Sequence, residues 1–377
     1  MSVVLHWFLP TSGDSRTVVP LGPDGHQRPP TLDYLAQIAR AADDLGYTGV
    51  LTPTGTWCED SWLVTAALLR ETKRLKFLVA FRPGAVSPTL AAQQATTFQR
   101  LSGGRLLLNI VTGGDPSEQR RFGDWLDHDE RYERTDEFLT VLRGAMSGRP
   151  LDFDGRHYHV GGATVSGTAR PTPLYFGGAS PAAELVAAKH VDVYLTWGEP
   201  PEMVAPRLAR MRQLAAQHGR QLRFGIRLHT ITRDVAVDAW RETERFLEQL
   251  PDDLVQRAQR SLAGSQSVGQ QRMRALHNGS RDSLTISPNL WAGYGLVRGG
   301  AATTLVGSHE DVADRIEEYH ALGFDEFIMS GHPHVEEAHW FGEGVLPILR
   351  DRGLWTHPAG DPAHELPNVP FAAATTR

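Results

Sequence analysis

The feature that most constrains the fold of this 377-residue chain is a repeated alternation of short apolar runs with amphipathic stretches. The first run, VVLHWFL at 3–9, is rich in β-branched and aromatic residues and predicts a strand. Residues 31–47 then carry apolar side chains at helical spacing, and Gly46 closes them as a helix end. Such units recur along the chain, and repeated βα units predict a parallel sheet.

The number of these units selects between two architectures. Eight strand candidates indicate a closed (β/α)8 TIM barrel in a single domain, and an open doubly wound sheet is the alternative. The eight candidates are 3–9, 48–53, 74–83, 105–114, 173–178, 191–198, 223–231 and 325–331. The segment DFDGRHYHV at 152–160 interrupts the alternation and predicts a small hairpin that turns at Asp154 and Gly155.

Insertions must account for the remaining length, because such barrels usually take about 250 residues. The largest insertion is expected at about 251–307, before the last βα units. Its polar, glycine-rich composition predicts a long, mobile lid over the active site. We therefore expect a barrel over 1–355 and an extended Pro/Ala-rich tail over 356–377.

Composition and charge exclude several classes of partner. The chain is 41% apolar and 22% charged, which is ordinary for a soluble globular protein. Its net charge of -6 argues against nucleic acid or an anionic membrane as a partner. A single cysteine, Cys58, allows no intramolecular disulfide and fits a reducing compartment. The first residues lack the features of a signal peptide, and no window approaches a membrane span, so we expect a cytoplasmic protein.

Polar side chains should gather where the strands end, since the active sites of these barrels lie at the carboxyl ends of the strands. The seventh strand carries Arg227 and His229 near its end, and His332 and His334 follow the eighth. Arg298 lies in the predicted lid. Because almost no carboxylates follow the strands, the mouth of the barrel is expected to bind an anion.

The H-x-H step of His332 and His334 is typical of some metal sites. No carboxylate at the other strand ends completes a ligand set, so no metal is predicted. Glu336 and Glu337 are expected to begin the next helix, where acidic side chains are favoured. His339, one turn further on, is expected to be a surface or packing residue.

The turn FGGAS at 176–180 indicates a phosphate site. Gly177 and Gly178 allow a tight passage from strand to helix, and Ser180 is expected to cap that helix beside exposed N–H groups. From the local sequence alone, Ser180 could equally be a cap with no ligand. No G-x-G-x-x-G follows a strand, so no nicotinamide site of the Rossmann type is expected.

Motifs along almost the whole chain resemble those of a known family, the FMNH2-dependent alkanesulfonate monooxygenases of the bacterial luciferase-like superfamily. The matching motifs are HWFLPT, GYTGVLTPTGTWCEDSW, LKFLVAFRP, NIVTGGDP, DHDERYE, PLYFGGAS, VDVYLTWGEPPE, RFGIRLHTI, SVGQQRMRALHNG, ISPNLWAGYGLVRGGAATTLVG and SGHPHVEEA. The last motif is usually written SGYPHLEEA in that family, so His332 stands in place of a tyrosine and His334 keeps the family residue.

The resemblance implies a two-component enzyme that takes reduced FMN as a co-substrate from a separate NAD(P)H-dependent FMN reductase. With O2 it is expected to make a flavin (hydro)peroxide and to cleave the C–S bond of an alkanesulfonate. The expected products are an aldehyde, sulfite, oxidised FMN and water. The family also implies a homodimer or homotetramer. The open alternatives are methanesulfonate or a sulfone as substrate, deazaflavin F420 as cofactor, and a non-catalytic flavin- or sulfonate-binding homologue.

The same resemblance implies which residues bind the cofactor and the substrate. The flavin phosphate is expected to meet Tyr132 and Ser180, near His128 and beside Gly178 and Ala179 of the same turn. The isoalloxazine ring should lie over Asn109, Val111 and Thr112, near Thr54. The residues expected at the substrate and the reacting atoms are Trp197, Arg227, His229, Arg298, Cys58, His332 and His334.

Physical chemistry sets a structural interpretation beside each functional one. An arginine fork suits a sulfonate, so Arg227 and Arg298 are expected to bind it. Arg227 could instead belong to a structural ion pair, and Arg298 could instead be a solvated residue of the lid. His229 could donate a hydrogen bond or carry a proton, or it could be a buried structural residue. Cys58 is expected to support the flavin site without acting as a nucleophile. If protonated, His332 should strengthen anion binding below a pH of about 6.5.

Overall fold

The computed structural model describes residues 2–19, 27–167 and 171–360, which form a closed barrel of eight parallel strands surrounded by helices. The barrel strands, numbered in chain order, are β1 (Val4–Phe8), β2 (Gly49–Thr52), β3 (Lys76–Phe81), β4 (Leu106–Ile110), β5 (Leu174–Gly177), β6 (Val193–Trp197), β7 (Arg223–Arg233) and β8 (Glu326–Ser330). Each strand pairs in parallel with the next, and β8 pairs with both β7 and β1.

Closure of the sheet decides between the two predicted architectures. Glu326 in β8 lies opposite Gly225 in β7 and opposite Val4 in β1. An open doubly wound sheet would leave its two edge strands unpaired on one side. The TIM barrel is therefore confirmed, and the open sheet is wrong.

The helices of the described ranges pack around the barrel. They are α1 (Leu32–Leu45), α2 (Ser61–Ala67), α3 (Pro88–Ser102), α4 (Pro116–Arg121), α5 (His128–Ala145), α6 (Pro181–His190), α7 (Pro201–Gln217), α8 (Ala236–Gln249), α9 (Asp252–Ala263), α10 (Val268–Ala275), α11 (His309–Leu322) and α12 (His334–Asp351), with 3-10 turns at Leu68–Arg70 and Gly293–Leu296. In α1 the hydroxyl of Thr31 accepts the N–H of Tyr34, and Gly46 ends the helix at a φ of 89°. The end at Gly46 confirms the prediction from the sequence, and the cap at Thr31 is of the residue type that usually begins a helix.

The inside of the barrel is filled by side chains. Seven of the eight strands contribute to one buried apolar cluster inside it. Its members are Phe8, Leu51, Leu78, Leu107, Tyr175, Val193, Leu195 and Ile328. A larger cluster lies between the strands and the outer helices. Because the interior is packed, a ligand has room only at the end of the barrel.

The predicted lid region is a folded insertion. It contains α9 and α10, followed by short strands at Thr285–Ser287 and Leu290–Trp291. Leu290–Trp291 pairs antiparallel with Thr304–Ser308. Thr304–Ser308 in turn pairs parallel with the second half of β7. Residues of the insertion and of α8 share their own buried cluster. This apolar cluster holds the insertion together. The polar, glycine-rich composition of the insertion did not indicate such a cluster. That the insertion moves as a lid stays a prediction.

Two small antiparallel pairs complete the described fold. Leu151–Asp154 pairs with His159–Ala163, and the N–H of Gly155 donates to the carbonyl of Tyr158 at 2.9 Å, which confirms the predicted hairpin. Asp14–Ser15 pairs with Gln27–Arg28. Of the tail predicted over 356–377, the part after residue 360 lies outside the described residues. Among the described helices, none combines the length and the apolar character that crossing a membrane requires.

Candidate active site

A cavity of about 1480 Å³ lies at the carboxyl ends of the barrel strands, under the insertion. All of the predicted site residues except Cys58 and His229 line it. They are Thr54, Asn109, Val111, Thr112, His128, Tyr132, Gly178, Ala179, Ser180, Trp197, Arg227, Arg298, His332 and His334. The strand ends and loops that carry them are far apart in the chain, and closure of the barrel brings them together.

One end of the cavity has the features of a phosphate cradle. The Ser180 hydroxyl accepts the N–H of Ala183 at 3.3 Å, so the predicted cap of α6 is present. A Cβ on Gly178 would lie 2.5 Å from the Cβ of Ala183 and 3.6 Å from the hydroxyl of Tyr132. Only glycine therefore fits this turn. The helix start, the serine and the tyrosine face one space, which suits the anionic end of a phosphorylated ligand.

The cavity floor beside this cradle is formed by the end of β4 and the residues after it. Asn109, Val111 and Thr112 line it, and Thr54 lies across from them after β2. Gly113 follows at a φ of 88°, and a Cβ there would lie 1.8 Å from the side-chain nitrogen of Gln119. The chain must turn away at this glycine, which leaves a floor of small and medium side chains for a planar ring.

Arg227 and Arg298 supply positive charge to the opposite wall. The guanidinium carbon of Arg227 lies 4.1 Å from the ring centre of Phe8, and its Nη2 is buried with no hydrogen-bond partner in the described part of the chain. Arg298 donates from Nη1 to the carbonyls of Gly299 and Ala301, at 3.1 and 2.7 Å. Burial, helped by Arg298, holds the pKa of Arg227 well below its usual range. Burial also lowers the pKa of Arg298 to about 10.

The expectation that the mouth has almost no carboxylates is wrong. Four acidic side chains line the cavity, namely Asp14, Asp115, Glu118 and Glu199. Glu118 pairs with Arg82, while Glu199 pairs with Arg207 at 3.2 Å and with Arg272 of the insertion. These acids lie beyond the ends of the barrel strands, and Glu118 lies in α4, so strand spacing cannot place them. Arg227 and Arg298 form no ion pair within the described residues. Arg120 and Arg121 of the lining are also unpaired there, but they are exposed to water, whereas Arg227 and Arg298 are partly buried.

His229 lies behind the cavity wall. It is fully buried; its Nε2 donates to the carbonyl of Ala301 at 3.1 Å, and its Nδ1 accepts the hydroxyl of Ser330 at 3.0 Å. Burial, with the charge of Arg298, holds its pKa well below the usual value, which keeps the ring neutral. The carbonyl of Ala301 thus accepts from both His229 and Arg298. This geometry fits a residue that positions Arg298, and both of its nitrogens are occupied by protein groups.

His332 and His334 lie between His229 and the loop after β1. The ring of His332 stacks on that of His229 with centres 5.5 Å apart, and the ring of His334 stacks on Phe8 at 5.5 Å. Burial lowers the pKa of His332, although Asp14 opposes this, and lowers the pKa of His334 to about 3. Without a bound anion, His332 therefore takes up a proton only below the pH of about 6.5 that its ordinary pKa indicates.

Cys58 and Trp197 hold different places. Cys58 is half-buried beneath the rim, its Sγ lies 3.6 Å from the carbonyl of Gly55, and burial raises its pKa. The raised pKa favours the thiol at neutral pH, which fits a supporting residue better than a nucleophile. Trp197 ends β6, and a Cβ on Gly269 of α10 would lie 3.1 Å from its ring. The insertion therefore rests directly on this indole.

Sequence reasoning missed Asp14 and the paired acids. Asp14 lies six residues after β1, and the backbone N–H of His334 donates to its Oδ2 at 2.7 Å. The prediction that Glu336 and Glu337 begin the helix after β8 is confirmed. Both lie in the first turn of α12, where Glu336 pairs with Arg28 and Glu337 pairs with Arg233. The only signal for Asp14 was a carboxylate in the first strand-to-helix loop.

Comparisons with known proteins find relatives of the same fold. The sequence model of the luciferase-like monooxygenase family matches residues 5–326. A riboflavin lyase, RcaE, solved with modified FMN and riboflavin, superposes with a TM-score of 0.80 at 20% identity, covering 95% of this chain and 93% of that chain.

Two further solved structures are similar over nearly their whole length. The long-chain alkane monooxygenase LadA has a TM-score of 0.77 at 19% identity, covering 94% of this chain and 92% of that chain. The EDTA monooxygenase EmoA from Chelativorans sp. BNC1 has a TM-score of 0.73 at 16% identity, covering 95% and 96%. At these identities the likeness establishes the fold.

Proposed function

We propose that this chain, which belongs to the luciferase-like monooxygenase family, is a flavin-dependent monooxygenase that desulfonates alkanesulfonates. Reduced FMN, O2 and the alkanesulfonate would yield oxidised FMN, water, an aldehyde and sulfite. The observation that carries the proposal is the pair Arg227 and Arg298. Both are partly buried and line the same cavity as the phosphate cradle, Nη2 of Arg227 is fully buried, and neither arginine has a carboxylate partner among the described residues.

Reduced FMN fits the cradle and the floor beside it. Tyr132 and Ser180 would hold the phosphate at the start of α6, and the ring would lie over Asn109, Val111 and Thr112. When bound, the reduced flavin supplies the electrons that activate O2. A riboflavin lyase of the same fold was solved with modified FMN, which supports FMN as the cofactor in this proposal. A reductase partner and a homodimer or homotetramer belong to the same proposal.

The two arginines suit a sulfonate for three reasons. A sulfonate is permanently anionic, so it compensates buried cations that the protein leaves unpaired. Its oxygens match the planar fork of a guanidinium. Cleavage of the C–S bond leaves the electron pair on sulfur as sulfite forms, so charge grows beside Arg227 and Arg298. The contact of Arg227 with Phe8 holds the guanidinium plane in place for this interaction.

The insertion and His229 prepare the site around these arginines. The insertion covers the cavity through α10 and rests on Trp197, which limits the access of water. His229 binds the same carbonyl as Arg298, so it fixes the loop that carries that arginine. His229 is thus proposed as a positioning residue, and His334 as a residue that lines the substrate pocket.

The charge of the cavity discriminates among substrates. The neighbours of known structure include an alkane monooxygenase and an EDTA monooxygenase, so the fold takes both neutral and charged substrates. A sulfone or an alkane would leave the partly buried charges of Arg227 and Arg298 without compensation. The arginine pair therefore favours a sulfonate over these neutral alternatives.

Sulfite release tests the proposal. The purified chain, FMN, NAD(P)H and a flavin reductase would be assayed with linear sulfonates from methane- to decanesulfonate. We expect sulfite and the matching aldehyde only when this chain and O2 are both present. The matched controls are the reductase with FMN alone, and the complete mixture without oxygen.

Failure would have a definite meaning. If the chain binds reduced FMN but releases no sulfite from any of these substrates, the sulfonate assignment is wrong and sulfones become the next substrates to assay. If reduced F420 binds and reduced FMN does not, the assignment of the cofactor is wrong as well.

A further inference from the structure

We propose that Asp14, His332 and His334 form a binding site for a divalent transition-metal ion of the zinc type. One side-chain donor atom from each residue lies within 4.8 Å of the other two. A tetrahedral zinc site with bonds of about 2.0–2.2 Å separates its ligand atoms by roughly 3.4 Å. The three side chains are thus within small rotations of that geometry, and the carboxylate missing from the sequence analysis is supplied by the loop after β1.

The donor atoms are available for a ligand. Asp14 and His334 are buried, and His332 is nearly so. Nδ1 and Nε2 of His332 and Nδ1 of His334 are buried without a hydrogen-bond partner in the described ranges. Nδ1 of His332 lies 3.6 Å from Oδ1 of Asp14, too far for a hydrogen bond. Buried imidazole nitrogens without a hydrogen bond carry an energetic cost, because they have given up their bonds to water. A metal ion at this point would satisfy one nitrogen of each ring.

The surroundings hold the carboxylate in one orientation. Oδ2 of Asp14 accepts the hydroxyl of Tyr34 and the backbone N–H of His334, and Oδ1 accepts the N–H of Ser15 at 2.8 Å. Nη1 of Arg28 donates to the hydroxyl of Tyr34 at 3.2 Å. A ligating group held by such partners loses little freedom when the ion binds. Oδ1 keeps a free lone pair, which is the one needed for a metal bond.

The chemistry of the donors selects the ion. Two imidazoles and one carboxylate suit Zn2+, Co2+ or Ni2+, whereas Mg2+ and Ca2+ prefer oxygen ligands. No fourth histidine, cysteine or carboxylate joins the cluster within the described residues, so one position stays open toward the cavity. Arg227 and Arg298 lie near enough to disfavour added positive charge. We therefore expect an anion or hydroxide in the open position and an affinity below that of structural zinc sites.

Occupation of this site would inhibit the enzyme. His332 and His334 line the cavity, and a metal ion would remove their nitrogens from the pocket and occupy part of it. Asp14, His332 and His334 are not among the residues proposed to hold the flavin, so the inhibition should lie on the side of the sulfonate. Binding of the metal itself needs neither flavin nor sulfonate, so it can be measured whether or not the proposed function is right.

Cobalt absorbance tests the site. The full chain, freed of metal with a chelator, would be titrated with Co2+ while the visible d–d band is recorded. We expect one Co2+ per chain with an intense band of the kind that low-coordinate nitrogen and oxygen ligation produces, displacement by Zn2+, and no displacement by equal Mg2+. Tyr34→Phe, which frees Asp14, should weaken binding about tenfold.

Two ligand variants and one control make the outcome decisive. His332→Tyr and Asp14→Asn should each weaken Co2+ binding more than about tenfold, and two variants are used in case one does not fold. His339→Gln, which changes an exposed histidine paired with Glu343, should leave binding unchanged. Absence of a stoichiometric band in the unaltered chain, or an unchanged band in both folded ligand variants, would overturn the proposal.

Discussion

The two ends of the barrel interior differ in whether their charged side chains have partners within the protein. At the amino-terminal end, Glu326 is fully buried, and its carboxylate bonds to His6 at 3.0 Å, Tyr175 at 2.8 Å and Arg223 at 2.6 Å. At the mouth, Arg227 lies over Phe8 with its Nη2 buried and with no carboxylate partner in the described part of the chain. One end completes its ionic contacts within the protein, and the other leaves a cation for a ligand.

This difference separates stability from function. A buried carboxylate with three partners is costly to disrupt, because removing its charge leaves the partners uncompensated. A buried cation without a partner destabilises the folded protein until an anion binds. Perturbed ionisable groups of the second kind cluster at functional sites. The contrast predicts that changes at the mouth affect activity, while changes at the amino-terminal end affect stability.

The largest expected effect is on Arg227. Arg227→Met should lower kcat/KM for the alkanesulfonate by about 10²–10³-fold, the usual cost of one group that stabilises developing charge. The denaturant midpoint should stay the same or rise, since the variant removes an uncompensated buried cation. Arg210→Met, which changes an arginine paired with Glu184 on the outer helices, is the matched control. Loss of stability in parallel with activity would contradict the contrast.

At the amino-terminal end, Glu326→Gln should act on stability. We expect the free energy of unfolding to fall by about 3 kcal/mol, because the fully buried carboxylate is replaced by an amide and Arg223 loses the charge that compensates it. KM for the sulfonate should change little, since Glu326 lies below the apolar layer of the barrel. Chemical denaturation followed by steady-state assay of the folded variant measures both. An unchanged midpoint would show that this network does not stabilise the fold.

As the pH falls, the insertion over the mouth should lose stability before the amino-terminal end of the barrel does. Burial lowers the pKa of His277, in the insertion, to about 4. The unfolded chain takes up this proton near pH 6.5, so the stability from neutral His277 is complete above 6.5 and is lost as the pH falls toward 4. Burial opposes ionisation of Glu326, but bonding to His6 and the charge of Arg223 hold its pKa below the ordinary value. Its contribution is therefore lost only below about pH 4.5.

Melting temperatures measured across this pH range test the order of loss. His277→Gln should flatten the decline between pH 6.5 and 4.5, and Glu326→Gln should flatten the part below pH 4.5. Identical slopes for the variants and the unaltered chain would mean that other groups set the acid response.

The smallest effect is expected for an exposed pair. Arg40 and Glu71 lie 2.7 Å apart on the outside of the barrel, with half of the arginine side chain exposed. Arg40→Gln should change the free energy of unfolding by about 0–1 kcal/mol and leave activity unchanged, because water screens such pairs. A loss as large as that for Glu326→Gln would show that pairing alone, and not burial, explains the stability of the amino-terminal end.

The sequence by itself determined the local structure and the end of the barrel that carries the site. Strand alternation, helical spacing and caps act over a few residues, so the eight strands, the cap at Ser180 and the helix end at Gly46 could all be predicted. The rule that ligands bind at the carboxyl ends of the strands then located most of the predicted residues that line the cavity, whereas His128 and Tyr132 were expected only from the family resemblance.

Only the tertiary structure decided how the side chains of the mouth meet one another. Asp14 and His334 are 320 positions apart in the chain, and barrel closure makes them neighbours. The same closure places His229 behind the wall, where it bonds to Ala301, and pairs Arg82 with Glu118. Local periodicity carries no information about such contacts, because they depend on how loops of different length return over the barrel. The partners of each charge, and hence the charges left for a ligand, follow from packing alone.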